Sequence, residues 1–321
     1  MKTKKTVLST LAVLGASIAA IHVLNRVFQK ISTSQKLLDD SEGDYFDWRF
    51  GRIYYKKSGS GSPLLLIHDL APYCSSNNFL SVEGSLSNHH TVYSIDLLGC
   101  GRSARPDYLY TNYLYVQLIT DFILTVIDKK TDVVVLGNSV PLVLAAKKNK
   151  PDLIGKIAIV NPPSPDDFRK KPSLINKLLS IKLKMPVIGT ALFNLISPLR
   201  DDETFYEKNF SATLEGGEEN KFYRTFEEAE QYNKPSRYLL SSILAGAFNV
   251  PVEKFIEGLD NSAHIFIGKD DPYFVYSSEQ YKKINPKLFV TAFTKTKRYP
   301  QIEVPSTFIM QIQRFFLRVN L

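Results

Sequence analysis

Residues 133–146 read VVVLGNSVPLVLAA. An apolar run ends at Leu136, Gly137-Asn138-Ser139 follow, and the remainder suits a helix. A serine on so tight a strand-to-helix turn stands clear of the sheet, at the N-terminus of the next helix. The backbone N–H of the following residue, Val140, then points to where an oxyanion forms during acyl transfer. A plain turn with Ser139 as helix N-cap fits the same residues without any chemistry. The choice depends on what else the chain brings to that turn.

The surrounding elements supply a scaffold. Solid apolar runs predict buried strands at Leu64–His68, Thr91–Asp96, Asp132–Gly137, Lys156–Asn161, His264–Gly268 and Leu288–Phe293. Residues Tyr113–Ile127 repeat apolar side chains at helical spacing, and residues 308–319 form an amphipathic closing helix. Alternating strands and helices imply an α/β fold: an open, mostly parallel twisted sheet with helices on both faces. Residues 164–260 carry no convincing strand and read as a helical cap inserted over the sheet's C-terminal edge, where such folds bind ligands. The expected organisation is an N-terminal membrane anchor at 1–30 and a polar linker at 31–48. The core follows in two parts, 49–163 and 261–321, around the cap at 164–260.

Four further stretches, with the serine turn, resemble the α/β-hydrolase family. LLLIHDL (64–70) ends a strand. IDLLGCGRSARP (95–106) matches the family's D-x-x-G-x-G-x-S segment through Asp96, Gly99, Gly101 and Ser103. IGKDDP (267–272) is similar to the loop that bears the triad acid, which makes Asp271 the acid. RYPQIEVPSTF (298–308) is similar to the family's last motif, a histidine followed by x-P-x-x-E-x-P, through Pro300, Glu303 and Pro305. The resemblance covers roughly residues 50–319. It implies Ser139 as nucleophile and the N–H groups of Val140 and Leu70 as oxyanion donors. The family's mechanism requires no metal and no organic cofactor.

The departures bear on activity. The family's elbow is G-x-S-x-G, but Pro141 stands where the last glycine belongs and pushes Val140 away from helical geometry. Asp69 replaces the glycine of the family's His-Gly, which leaves the Leu70 N–H open to displacement. Alignment on Pro300 and Glu303 puts Arg298 at the position of the triad histidine. An arginine keeps its proton up to about pH 12 and offers no acceptor, so it cannot serve as the base. Beside Asp271 it would form a bidentate ion pair and satisfy a carboxylate otherwise buried alone. Of the five histidines, His22 lies in the apolar N-terminal run, and His89, His90 and His264 belong at the sheet's far end. His68 alone ends a strand on the side of Ser139. Cys100, between two glycines, has no histidine expected near it.

Composition narrows the partners. The 321 residues are 44% hydrophobic and 22% charged, which excludes a disordered chain. The net charge is +8, yet no zinc-finger or RNA-binding motif accompanies the lysines, so nucleic acid is not an expected partner. Cys74 and Cys100 form neither a metal motif nor a disulfide framework. No His/Asp/Glu cluster has ligand spacing. Thr6–Leu24 is an apolar run behind Lys2, Lys4 and Lys5, long enough at helical rise to cross a bilayer. It reads as an uncleaved single-pass anchor with the folded domain on the cytoplasmic side, the rival being a signal peptide cleaved at Ser17-Ile18-Ala19, past which the apolar run continues through Ile21, Val23 and Leu24. Residues 169–186 interleave lysines with Leu174, Ile175, Leu178, Leu179, Ile181 and Leu183. They read as a cap helix with its apolar face over the pocket and its lysines outward, the alternative being a helix lying on anionic lipid.

Two functions remain open, and with them whether the chain is an enzyme. One is a catalytically silent, membrane-anchored hydrolase fold that binds or scaffolds, with Arg298 docking a ligand carboxylate. The other is an esterase- or lipase-like serine hydrolase that uses Ser139 and Asp271 with a non-standard base on a small or lipid-like ester or acyl compound.

Overall fold

The computed structural model of the chain describes residues 2–211 and 218–317. Eight strands form a single sheet: β1 (Asp44–Trp48), β2 (Gly51–Ser58), β3 (Ser62–Ile67), β4 (His90–Ile95), β5 (Thr131–Leu136), β6 (Ile154–Val160), β7 (Ala263–Gly268) and β8 (Phe289–Phe293). Their order is β1-β2-β4-β3-β5-β6-β7-β8. The β1–β2 and β2–β4 pairs are antiparallel, and all the others are parallel. The C-terminal halves of β3 to β7 are buried on both faces, which is why they read as unbroken apolar runs.

The six expected strands are present, each with boundaries shifted by no more than two residues. β1 falls in the stretch expected as a polar linker. It is the outermost strand of the sheet and only partly buried, with Phe46 and Trp48 on the same face. Phe46 pairs in register with Ile53, and the Trp48 indole donates to Asp121 at 2.8 Å. The helix expected at Tyr113–Ile127 is α-helical from Asn112 to Phe122 and continues as a π turn, Ile123–Ile127, before Asp128 closes it in the left-handed region. The closing helix spans Pro305–Phe316. Residues 318 and 319, expected in the same helix, lie outside the described residues. Between β6 and β7 the described residues contain helices and loops and no strand.

The D-x-x-G-x-G-x-S segment is a structural knot. Asp96 is fully buried; its Oδ1 accepts the Ser76 N–H at 2.7 Å and its Oδ2 accepts the Arg102 N–H at 2.7 Å and Nε at 2.8 Å. Burial alone would raise the pKa of this carboxyl, but the adjoining guanidinium overrides it and holds the group at about 2. Three residues on, buried Arg105 donates to the carbonyls of Gly101, Ala229, Glu230 and Lys234, which ties the cap to the core.

The N-terminal helix runs from Lys2 to Ser32, and its Ala12–Ser32 segment is long and apolar enough to cross a membrane. Its second half docks on the cap. Asn25 Nδ2 donates to the Val187 carbonyl at 3.0 Å, and Gln29 Nε2 donates to the carbonyls of Gln231 and Asn233.

Because the folded-state pKa of Asp96 is depressed, its contribution to stability is fully present above the ordinary value of 3.8 and is lost as pH falls through about 2. Asp96→Asn leaves Arg102 buried without its charge partner and is expected to cost about 3–5 kcal/mol. Chemical denaturation of both proteins across the acid range checks this, since the variant's stability should lose part of the wild type's decline between those two pH values.

Candidate active site

The β5 strand-to-helix turn is the place to begin. Leu136 ends the strand in extended geometry, and Gly137 takes φ +53°, in the left-handed region. Ser139 follows in a short 3₁₀ turn at φ −78° and ψ −14°, ordinary right-handed values. The sharp corner of the turn, where the elbow motif needs its nucleophile, is therefore Gly137 and not Ser139. Ser139 is fully buried, and its hydroxyl donates to the His68 carbonyl at 2.6 Å. The Val140 N–H donates to the Gly137 carbonyl inside the turn, so it is not free for an oxyanion. Val140 is also helical, at φ −54° and ψ −50°. The expected displacement before Pro141 does not occur, because Pro141 sits in the first helical turn of Val140–Asn149, where its ring and missing N–H are tolerated.

What faces the corner is Asp69. The parallel register Ile67↔Val135 brings the end of β3 alongside Gly137. Asp69 Oδ1 accepts the Asn138 N–H at 2.7 Å and Asn138 Nδ2 at 2.9 Å. Its Oδ2 accepts Arg298 Nη2 at 2.7 Å. A Cβ built on Gly137 would stand 2.5 Å from Asp69 Cγ and Oδ1, so the carboxylate occupies the space a side chain at the corner would need. The N–H immediately after the corner is the one an oxyanion hole uses. Here that donor holds a resident carboxylate.

Arg298 is positioned from several directions. Asn161 Nδ2 donates to the carbonyls of Lys297 and Arg298, both at 2.9 Å, while its Oδ1 accepts the Gly268 N–H. The Glu303 carboxylate accepts the N–H groups of Lys297 and Tyr299 on either side of Arg298. Burial works against the guanidinium charge, but Asp69 overrides it and raises the Arg298 pKa well above its ordinary value. Arg298 stays protonated and cannot take a proton from a hydroxyl. The expected Arg298–Asp271 pair is replaced by the Asp69 contact. Asp271 instead caps the helix Pro272–Ile284, its Oδ1 accepting the Tyr273 N–H at 2.9 Å.

His68 does not substitute as the base. Its Nε2 accepts the Leu97 N–H at 3.0 Å, which places the ring proton on Nδ1 against the Asp69 carbonyl at 2.7 Å. Burial lowers its pKa, so the ring is held neutral with both nitrogens used. His90 and His264 bond to Ser62 and Thr291 at the sheet's other end. Cys74 and Cys100 are buried free thiols whose pKa values burial raises, which leaves them poor nucleophiles. Among the described residues no group of three or more His, Cys, Asp or Glu side chains could hold a metal ion.

Leu70, the other expected oxyanion donor, is buried directly after Asp69. A cavity of about 10 Å³ lies between Asp69, Gly137, Asn161 and Arg298, room for roughly one water molecule. Tyr73, Phe205, Phe226 and Tyr299 pack together beside it, with ring centroids 5.5–5.9 Å apart. Asp69 is the residue that the sequence reading left without a role. The available signal was a pair of opposite departures, an acid in place of glycine and an arginine in place of histidine.

Gly137→Ala is expected to lose at least about 1–2 kcal/mol, from the left-handed φ alone, with the collision against Asp69 adding to it. The double variant Gly137→Ala/Asp69→Gly should recover the collision part and so show non-additive stability. Thermal unfolding of the detergent-solubilised chain and its three variants measures both.

Comparisons with known proteins bear on the family and the fold. A stretch of 87 residues is 36% identical to 2-hydroxy-6-oxo-6-(2'-aminophenyl)hexa-2,4-dienoic acid hydrolase from Metapseudomonas resinovorans. That match covers 26% of this chain and 29% of the relative's length. Among solved structures, a bacterial membrane phospholipase A superposes with a TM-score of 0.63 at 16% identity over 98% of both chains. A meta-cleavage product hydrolase from Pseudomonas fluorescens superposes with a TM-score of 0.66 at 16% identity, over 85% of this chain and 97% of its own. Structural likeness at such identity speaks for the fold alone. The model of the alpha/beta hydrolase family matches residues 64–299, most of the chain, and this protein belongs to that family.

Proposed function

We propose that this chain is a membrane-tethered member of the family that has lost serine-hydrolase catalysis and acts as a binding or scaffolding domain. The observation that carries the reading is the Asp69 carboxylate, held at once by the Asn138 amide and the Arg298 guanidinium over a glycine corner. A serine hydrolase needs a hydroxyl at that corner, a base that accepts its proton, and free donors for the oxyanion. Gly137 has no side chain, Arg298 accepts no proton, and the Asn138 N–H already holds an anion. A ligand carboxylate reaching Arg298 would have to displace Asp69. The N-terminal helix, apolar over a membrane-spanning length, supports the tether.

Family membership favours the competing reading, a hydrolase that uses Ser139. For it to hold, Ser139 must leave the His68 carbonyl and take over the corner, and Asp69 must swing away from Asn138. The two readings separate with an active-serine fluorophosphonate probe on the full chain, read by intact mass. No adduct is expected on the wild type or on Arg298→His alone. The triple variant Gly137→Ser/Asp69→Gly/Arg298→His is expected to label at residue 137, since it supplies hydroxyl, space and base together. A wild-type adduct at Ser139 would overturn the proposal.

A further inference from the structure

The cap helix Leu174–Leu183 turns its apolar side outward. Leu174, Ile175, Leu178 and Ile181 are 78, 70, 58 and 63% exposed, which reverses the expectation of an apolar face over the pocket. Their spacing makes one continuous stripe along the helix. The opposite side packs on the helix Arg237–Leu244 through small groups, with Ser241 Oγ donating to the Ser180 carbonyl at 2.9 Å. Arg237 fixes the end of the cap helix by donating to the carbonyls of Leu183 and Met185. A single exposed leucine is ordinary, but a stripe of large apolar side chains held rigidly in water marks an interaction surface.

The stripe is joined to the N-terminal helix. The turn after the cap helix carries Val187, whose carbonyl holds Asn25, and the next helix, Ile188–Ile196, carries Asn194, whose amide donates to Asn25 Oδ1 at 3.3 Å. The N-terminal helix therefore leaves the domain beside the end of the stripe. On its far side of Asn25, the apolar run Thr6–Leu24 spans roughly 28 Å at helical rise, close to the ~30 Å hydrocarbon thickness of a bilayer. Exposed Lys177, Lys182 and Lys184 flank the apolar residues. Lysines beside an apolar stripe suit a helix lying in the headgroup region, and each contributes about 1 kcal/mol near an anionic surface.

We infer that the Leu174–Leu183 helix lies on the membrane surface, with its apolar stripe among the acyl chains and its lysines at the phosphates, so that the cap rests on the bilayer next to the anchor. The inference rests on the reading of the N-terminal helix as a membrane anchor. It fixes the orientation of the domain, with the cap toward the lipid and the amino ends of the parallel strands away from it.

The full chain in phosphatidylcholine–phosphatidylglycerol vesicles tests this. Cys74 and Cys100 are both fully buried, so thiol dyes go to an introduced cysteine. Val13→Cys, Leu178→Cys and Lys129→Cys each receive an environment-sensitive fluorophore, and the lipids carry spin-label quenchers placed along the acyl chain from just below the headgroup to the bilayer centre. The expected result is quenching with a blue shift at positions 13 and 178 and neither at 129. Quenching at 13 without quenching at 178 overturns the inference and leaves the anchor standing. Loss of quenching at both overturns the anchor as well. A blue shift at 178 without lipid quenching, accompanied by cross-linking between two copies through that cysteine, assigns the stripe to a dimer and overturns the inference.

Discussion

The site is organised by one carboxylate. Asp69 is 3% exposed in its side chain and touches three groups of the elbow region: the corner Gly137, the Asn138 N–H behind it, and the Arg298 side chain. A buried carboxylate without partners is costly, and the partly exposed Arg298 guanidinium supplies the charge that offsets it. Each residue gives the other its reason to be there. The pair also accounts for Gly137, since any larger residue at the corner would collide with the carboxylate. The substitutions at the corner, the glycine after His68 and the histidine position thus form one connected change.

Much of the scaffold was legible because its strands are buried on both faces and stand out as apolar runs. β1 was not, since a short, partly exposed edge strand with two acids among five residues looks like a linker. The loop that carries Arg298 could be found from Pro300 and Glu303, and Glu303 does bind the backbone on either side of Arg298. The partner of Arg298 could not be found, because sequence alignment brings Asp271 to mind and only the sheet register brings Asp69 near. The serine motif misled for a related reason. Spacing in G-x-S marks Ser139, but backbone cost decides the corner. Glycine enters the left-handed region freely, whereas a serine there costs about 1–2 kcal/mol and needs a surrounding that enforces it. Here Ser139 finds a hydrogen bond to His68 in ordinary geometry.

The cap follows the same logic of placement over pattern. Lysines interleaved with leucines fit either a lid over a pocket or a helix on lipid. Packing settles which side is buried: Ser180 and Leu183 face the protein, and the leucine–isoleucine stripe faces out. Arg105, with four carbonyls around it, keeps the cap seated on the core.

The central claim is that Asp69 and Arg298 depend on one another. A double-mutant cycle in folding stability, with Asp69→Ala, Arg298→Ala and the double variant, measures that directly. The account predicts that Arg298→Ala, which leaves the buried Asp69 carboxylate alone, costs about 3–5 kcal/mol, and that Asp69→Ala, which leaves the partly exposed Arg298 unpaired, costs less. It predicts that the double change costs less than their sum by roughly 1–3 kcal/mol. Additivity within about 0.5 kcal/mol would contradict it, because two residues that sum independently do not hold each other in the site.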